Sequence, residues 1–163
     1  MSAAFDRAFD TLMEYEGGYI NDPNDRGGET NFGISRNSYP TEDIKNMTIE
    51  RAKEIYKRDY WNPLRLDELA SANIAEEIFE QAVNMGRRAA ARHVQEALNY
   101  LRYDIKIDGS IGPETIEAIN DFQDSRVLLK VLNGIQFCLY LNIVKVDPSQ
   151  GKFARGWLRR ITI

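Results

Sequence analysis

Residues 16–34 combine carboxyl and hydroxyl side chains with closely spaced glycines, in a stretch too polar for a protein core and too long for a tight turn. The chemically capable side chains are Glu16, Asp22, Asp25 and Thr30. Glycines that permit a folded-back backbone occur at both ends of the loop: Gly17, Gly18, Gly27 and Gly28. Glycosidic cleavage needs one protonated acid and a second carboxylate, or its equivalent, across the bond. The loop can supply both, with Thr30 able to hold a water.

The residue spacing in this loop excludes two other kinds of binding site. Counted from Asp22, a calcium loop would need oxygen ligands at its fifth and twelfth positions, which are Arg26 and Gly33. A phosphate-binding loop would need a lysine and glycines that precede a helix, whereas here the glycine pairs follow a helix and no lysine is present. An acidic glycine-rich loop that only makes a turn remains the alternative to a carboxylate site.

A helix predicted over residues 3–16 sets the orientation of Glu16. Its large apolar residues step by four and three and share one face: Phe5, Phe9 and Leu12. At about 100° per residue, Glu16 lies about 20° from Phe5 and Glu14 about 180° from it. We therefore expect Glu14 in solvent and Glu16 on the buried face. Burial and the negative end of the helix dipole both favour a neutral acid, which a general acid requires. The alternative, to which we give equal weight, is that the helix end frays and the Glu16 side chain lies in water.

Length and composition predict one soluble globular domain, or one domain with a small appended half. The 163 residues are 43% hydrophobic and 28% charged. We see no apolar run long enough to span a bilayer, and residues 1–7 carry charges where a signal peptide needs an apolar core. No stable membrane insertion is therefore expected, and any export would use another route. Cys138, the lone cysteine, is expected to pack as a small hydrophobe.

The two halves of the chain differ in charge. Residues 1–85 carry 9 basic and 17 acidic residues, whereas residues 86–163 carry 12 basic and 8 acidic residues. A nucleic-acid-binding protein would usually be more basic, with its charge in one stripe, so no nucleic-acid partner is expected. The basic rear half either attracts an anionic polymer or is simply a solvated face, and the second interpretation is favoured.

Periodicity predicts a mainly α fold after the loop. Helices are expected over residues 48–60, 73–85 and 87–103, from Pro113 onward, and over residues 127–144. The last is the most hydrophobic and is interpreted as the central core helix. The single histidine, His93, makes a zinc site or a Ser/His/Asp triad improbable, so no metal and no cofactor are expected.

Three further residues are candidates for substrate contact. Tyr60 ends the second predicted helix and Trp61 follows it. Each of these aromatic residues either packs in the core or stacks on a sugar ring. Trp61 is the better stacking candidate because it lies beyond the helix. Asn84 lies among apolar residues, so its amide either ties a loop together or lines a groove.

Spaced motifs along nearly the whole chain resemble glycoside hydrolase family 108, the phage-endolysin and secretion-activator type of N-acetylmuramidase. The matching segments are Glu16-Gly17-Gly18-Tyr19, Asp25-x-Gly27-Gly28-x-Thr30-x-x-Gly33-Ile34, Tyr60-Trp61, Val83-Asn84-x-Gly86, Asp108-Gly109-x-Ile111-Gly112-Pro113-x-Thr115 and Phe153-x-x-Gly156-Trp157-Leu158-x-Arg160. The rear motifs resemble the predicted peptidoglycan-binding region that accompanies this family. Glu80 stands where the resemblance leads us to expect an aspartate.

The resemblance implies a lysozyme-like helical fold and hydrolysis of the β-1,4 bond between N-acetylmuramic acid and N-acetylglucosamine. It places the catalytic acid at Glu16. We expect Asp25 or Thr30 to position the attacking water or to stabilise positive charge. Residues expected to contact the glycan are Tyr19, Asp22, Tyr60, Trp61 and Asn84. A silent peptidoglycan-binding or secretion-associated protein and a lytic transglycosylase are the alternatives.

The expected organisation is a muramidase part over residues 1–85 and a peptidoglycan-binding-like part over residues 86–163, packed into one compact unit. Peptidoglycan glycan strands are the expected partner, and the sequence leaves the oligomeric state open. Without a signal peptide, the protein is expected to be made in the bacterial cytoplasm and to reach the wall through a holin-type pore or another noncanonical route.

Overall fold

The computed structural model of the protein describes residues 2–21 and 28–161. Over these residues the chain contains seven α-helices and one two-stranded hairpin, so the expected mainly α, lysozyme-like fold is confirmed. The chain divides into two compact units, Met1–Pro63 and Leu64–Ile163. The two units are described separately below.

The first unit holds the glycine-rich loop between a helix and a hairpin. Helix α1 spans Ala3–Tyr15, strands β1 and β2 span Thr30–Asn31 and Ile34–Ser35, and helix α2 spans Ile49–Tyr56. A π-helical turn, Lys57–Trp61, and a 3₁₀ turn, Asn62–Leu64, follow. Both helices begin at hydroxyl caps: Ser2 Oγ accepts from Phe5 N at 3.4 Å, and Thr48 Oγ1 accepts from Arg51 N at 3.2 Å.

An aromatic core fixes α1 against α2. Phe5, Phe9 and Leu12 are each at most 1% exposed, as the spacing on α1 predicts. The ring of Phe5 meets Trp61 edge-on, with centroids 5.2 Å apart, and the ring of Phe9 lies 5.9 Å from Tyr56. These contacts hold the end of α1 beside α2.

The π-helical turn decides which aromatic residue is buried. In a continuous α-helix, Tyr60 would lie one turn beyond Tyr56 on the same face. A π turn joins residue i to residue i+5, here Lys57 O to Asn62 N, and the extra residue in the turn brings Trp61 onto the buried face instead. Trp61 is 0% exposed, whereas Tyr60 is half-buried, with its ring 5.7 Å from that of Tyr56.

The second unit is built from five helices. They are α3 (Ala72–Met85), α4 (Arg87–Tyr100), α5 (Pro113–Asp121), α6 (Ser125–Val146) and α7 (Ala154–Leu158), with 3₁₀ turns at Leu66–Glu68 and Pro148–Phe153. Helices α3, α4 and α6 pack together. Pro113 takes the first helical position of α5, as its sequence context predicts.

Helix α6 is buried on one side only. Leu128, Leu132 and Tyr140 are buried, but Phe137 is 40% exposed and Leu141 is 55% exposed. The interpretation of α6 as a central core helix is therefore wrong for its outer face. Cys138 lies on that exposed face as well, so its expected burial is also wrong.

By length and composition, α6 could cross a membrane, and only 28% of its apolar window is buried. The expectation that no segment meets this criterion was wrong. Isolated polar residues interrupt every continuous apolar run in α6, but the mean hydropathy of the helix is still as high as that of a membrane-spanning segment.

Buried amides tie the helices of the second unit together. Gln81 Oε1 of α3 accepts a hydrogen bond from His93 Nδ1 of α4 at 2.8 Å. Gln95 of α4 anchors the turn before α5, since its Nε2 donates to Asp108 Oδ1 and its Oε1 accepts from Gly109 N, both at 2.9 Å. The single histidine is thus a buried packing residue of this unit.

Candidate active site

Glu16 lies where α1 gives way to the loop. The helix ends at Tyr15, and Glu16 caps it: its backbone N–H donates to Leu12 O at 3.2 Å, while its own backbone is extended. The Glu16 side chain is half-buried and that of Glu14 is exposed. This is the order that helical periodicity predicts for the two carboxyl groups.

Gly33 brings a backbone segment against the Glu16 carboxyl group. A Cβ atom on Gly33 would lie 2.7 Å from Glu16 Oε2, 2.9 Å from Glu16 Cδ and 2.5 Å from Tyr56 Oη. Real Cβ atoms essentially never approach other atoms so closely. Only glycine therefore lets the hairpin, the end of α1 and α2 meet at this point.

The hairpin turn at this point has an unusual backbone. Asn31 pairs with Ile34, leaving Phe32 and Gly33 as a two-residue loop. Both have positive φ, 49° for Phe32 and 76° for Gly33, as a type I′ turn requires. A bulky residue at positive φ is strained, so the turn needs support from its surroundings.

Tyr56 of α2 supplies such support. Its hydroxyl donates to Phe32 O at 3.0 Å, and its side chain is 2% exposed. The same hydroxyl oxygen is the one that faces Gly33 beside Glu16 Oε2. One buried tyrosine thus contacts the turn and approaches the carboxyl group.

The ends of the loop are joined by a short bridge. Ile20 N donates to Thr30 O and Thr30 N donates to Ile20 O, each at 2.8 Å. Thr30 Oγ1 donates to Gly28 O at 3.5 Å. Asp22 and Asp25 lie outside the described residues, so their expected roles remain predictions.

A charged network braces the loop stem. Arg36 pairs with Glu29 through both Nε and Nη2, and Arg36 also donates to Glu42 O. Tyr19 Oη donates to Glu29 Oε2 at 2.9 Å. The bonds from Arg36, and then from Tyr19, hold the pKa of Glu29 below its usual range, and the bond to Glu29 raises the pKa of Tyr19. Glu29 is thus an ionised anchor for the loop.

Comparison with known proteins finds two family models that match successive parts of the chain, with a boundary after α3 rather than at Pro63. The Glycosyl hydrolase 108 model matches residues 9–86, which include Glu16, Gly33 and Tyr56. The Predicted Peptidoglycan domain model matches residues 89–162. Residues 9–86 are thus similar to the glycosyl hydrolase 108 family, and residues 89–162 are similar to the predicted peptidoglycan-domain family.

A solved structure described as that of Brucella abortus SagA is similar to this chain. The TM-score is 0.77 at 25% sequence identity, over 96% of this chain and 88% of SagA. No curated protein sequence matched the chain.

The structure reverses the expected order of the two aromatic candidates, Trp61 and Tyr60, for stacking on sugar rings. Trp61 was the preferred stacking residue, but its ring is fully buried against Phe5 and presents no face to a ligand. This assignment is corrected: Trp61 is a core residue, because the π turn carries it inward. Tyr60 is partly exposed, and Tyr19 is 41% exposed, so these two rings are accessible.

Asn84 belongs to the second unit, in the last turn of α3. Its Nδ2 donates to Glu80 Oε1 at 2.8 Å and to Tyr140 Oη at 3.4 Å. The side chain therefore links α3 to α6, and its surface is exposed. The longer glutamate at position 80 reaches the amide one turn along the helix.

Sequence reasoning missed the two residues that converge on Glu16. Gly33 was only a motif position, and Tyr56 lies within the second predicted helix, where no sequence pattern assigns it a role at the site. The Asn31-Phe32-Gly33 sequence carries a hairpin signal, because asparagine and glycine favour positive φ, but nothing in the sequence places that hairpin against Glu16. Among the described residues, no group of three His, Cys, Asp or Glu side chains is arranged to hold a metal ion.

Proposed function

We propose that the chain is an N-acetylmuramidase that hydrolyses the β-1,4 bond between N-acetylmuramic acid and N-acetylglucosamine in peptidoglycan. The family assignment supports a peptidoglycan hydrolase-type function. The observation that carries the specific proposal is the position of the Glu16 carboxyl group, held at Gly33 beside the Tyr56 hydroxyl. A half-buried carboxyl group fixed between three elements suits a general acid.

In this mechanism Glu16 donates its proton to the glycosidic oxygen as the bond to the anomeric carbon breaks. Positive charge develops on the sugar ring, and a water molecule then attacks. Asp25 stabilises that charge or takes the proton of the water, and Thr30 orients the water. Asp25 is favoured over Asp22 because Asn21-Asp22-Pro23 is typical of a turn opening.

Glycan binding is assigned to residues in both units. In the first unit, Tyr19, Tyr60 and Asp22 would contact the sugars, with the tyrosine rings offering apolar faces and polar edges. In the second unit, the peptidoglycan-domain match supports wall binding, and the exposed Asn84 amide is a candidate contact. Peptidoglycan is the partner that both family models support.

We also propose that the protein accumulates in the bacterial cytoplasm and reaches the wall by holin-type or noncanonical release. Fractionation of the producing bacterium before and after lysis tests the proposal. Recovery from the periplasm of intact cells through the general secretory route would contradict it.

Mass spectrometry of digested sacculi tests the proposed reaction. Purified sacculi incubated with the full chain are expected to release muropeptides with new reducing N-acetylmuramic acid ends. Anhydro-muramic ends would instead indicate a lytic transglycosylase. Intact glycan, with the protein bound to the pellet, would indicate a silent wall-binding protein.

A further inference from the structure

We propose that Tyr56 is a positioning residue for Glu16, which holds the acid in one orientation by linking it to the Phe32–Gly33 turn. This inference rests on the proposed function of Glu16 as the general acid. It concerns a residue that lies on α2, far from the loop in sequence, and whose buried position would by itself indicate only core packing.

The first argument is the geometry of the turn. Phe32 and Gly33 form a type I′ turn in which a phenylalanine has positive φ. The Tyr56 hydroxyl donates to Phe32 O at 3.0 Å and so stabilises this backbone conformation. The position of the turn relative to α2 therefore depends on one side-chain hydroxyl.

The second argument is the shared contact point. Tyr56 Oη and Glu16 Oε2 both lie within 2.7 Å of the position that a Gly33 Cβ would take. The carboxyl group thus has the turn on one side and the tyrosine hydroxyl close by. A displaced turn would free the carboxyl group to rotate away.

The third argument is that the Tyr56 hydroxyl has only one proton to donate. A tyrosine hydroxyl has one proton to donate and lone pairs that accept. Because Tyr56 donates that proton to Phe32 O, it can only accept toward Glu16. An acceptor beside the carboxyl group suits the protonated acid, which is the form that acts at the start of the reaction.

The side-chain packing keeps this hydroxyl in place. Tyr56 is 2% exposed, and its ring lies between Phe9 and Tyr60, with centroids at 5.9 Å and 5.7 Å. The neighbouring elements carry other titratable groups, which include Tyr60 at the same helix end, Tyr19 and Glu29 on the loop stem, and Lys53 of α2, whose Nζ pairs with Asp6 of α1. Glu29 is already paired with Arg36.

The test compares Tyr56→Phe with the wild-type chain on a soluble glycan substrate. The variant keeps the ring and loses only the hydroxyl, so kcat is expected to fall about tenfold, the effect of one hydrogen bond, while KM stays within about twofold. Tyr103→Phe is the matched control, because it removes a tyrosine hydroxyl that contacts Asp121 in the other unit. Its kcat is expected to equal that of the wild type.

A second measurement does not depend on turnover. The chemical shift of the side-chain carboxyl carbon of Glu16, assigned by its absence in Glu16→Gln, is measured by NMR at one fixed pH. Loss of the neighbouring hydroxyl is expected to change this chemical shift in Tyr56→Phe and to leave it unchanged in Tyr103→Phe. A residue that only packs the core would lower thermal stability without moving it.

The two measurements separate the possible failures. A wild-type chain that cleaves glycan, with kcat and the Glu16 carboxyl chemical shift unchanged in Tyr56→Phe, would overturn the positioning role alone. A wild-type chain that cleaves no glycan would overturn the proposed function, while the NMR comparison would still decide whether Tyr56 acts on Glu16.

Discussion

Glu16 and Gly33 lie so close that a single methyl group could not fit between them: Glu16 Oε2 is 2.7 Å from the ideal position of a Gly33 Cβ. This contact joins the end of α1 to the hairpin that follows the loop. It explains why a flexible residue stands at the tip of the hairpin, next to the one carboxyl group assigned as the acid. The site depends on this close approach.

Gly33→Ala should therefore damage both activity and stability. The added methyl group collides with Glu16 and Tyr56, and φ of 76° costs a residue with a Cβ about 1–2 kcal/mol. We expect a loss of at least about tenfold in kcat/KM, because the acid must move. Gly156→Ala is the control, since its Cβ would meet nothing within 4 Å, and both variants are compared by glycan cleavage and thermal unfolding. Equal activity in the two variants would contradict the account.

Substitutions in the loop test the partners of Glu16. Asp25→Asn and Thr30→Ala should each reduce activity by roughly 10²-fold if they stabilise charge or orient water. Asp22→Asn should have a milder effect, because Asp22 is interpreted as a turn residue. Rates of turbidity loss on purified walls give the comparison. Small and equal losses at all three positions would mean that the loop is only a scaffold.

The stability of the second unit should depend on pH through Glu77. Burial, the main cause, raises the pKa of Glu77 to about 7, while Gln81 Nε2 donates to its Oε1 at 2.8 Å. Because the folded state holds the proton more tightly than the unfolded state, stability is fully present below pH 4.5 and falls as pH rises toward 7. The expected loss is about 3 kcal/mol.

Glu77→Gln should remove this loss, because an amide cannot ionise. Urea unfolding at pH 5 and at pH 8 is expected to show a smaller difference for this variant than for the wild type. Glu117→Gln, at an exposed position of α5, is the control and should behave like the wild type. A wild-type chain that is more stable at pH 8 than at pH 5, with no change in Glu77→Gln, would refute the prediction.

Fragments cut after residue 85 should fold poorly. Helix α3 packs with α4 and α6, so the cut removes α3 from the helices that bury it. We expect residues 1–85 and 86–163 to be poorly folded by circular dichroism, and the intact chain to unfold in one transition. A fragment of residues 64–163, which keeps α3, should fold better than residues 86–163. If residues 86–163 prove soluble, cooperatively folded and pelleted by sacculi, the rear half is an independent wall-binding module.

Sequence patterns within one or two helical turns correctly predicted the features that depend on neighbouring residues. The Phe5, Phe9 and Leu12 face of α1 is buried as expected, and Thr48 caps α2. Helix periodicity also ordered the exposure of Glu14 and Glu16 correctly. Each of these follows from residues within one or two turns of each other.

The features that depend on irregular geometry or distant contacts were missed. A π turn has no clear sequence signature, so Trp61 was placed at a sugar site instead of in the core. The approach of Gly33 and Tyr56 to Glu16 joins residues 17 and 40 positions apart in sequence, which periodicity cannot reveal. For α6, apolar composition was interpreted as burial, although the outer face of the helix is exposed.

The central claim is that Glu16 is the proton donor, and one comparison tests it most directly. Wild type, Glu16→Gln and Glu14→Gln are incubated with purified sacculi, and new reducing N-acetylmuramic acid ends are counted by mass spectrometry. The amide of Glu16→Gln cannot donate a proton, so we expect product to fall by about 10²-fold or more while the fold persists, with Glu14→Gln close to wild type. Release of reducing ends by Glu16→Gln at the wild-type rate would contradict the account.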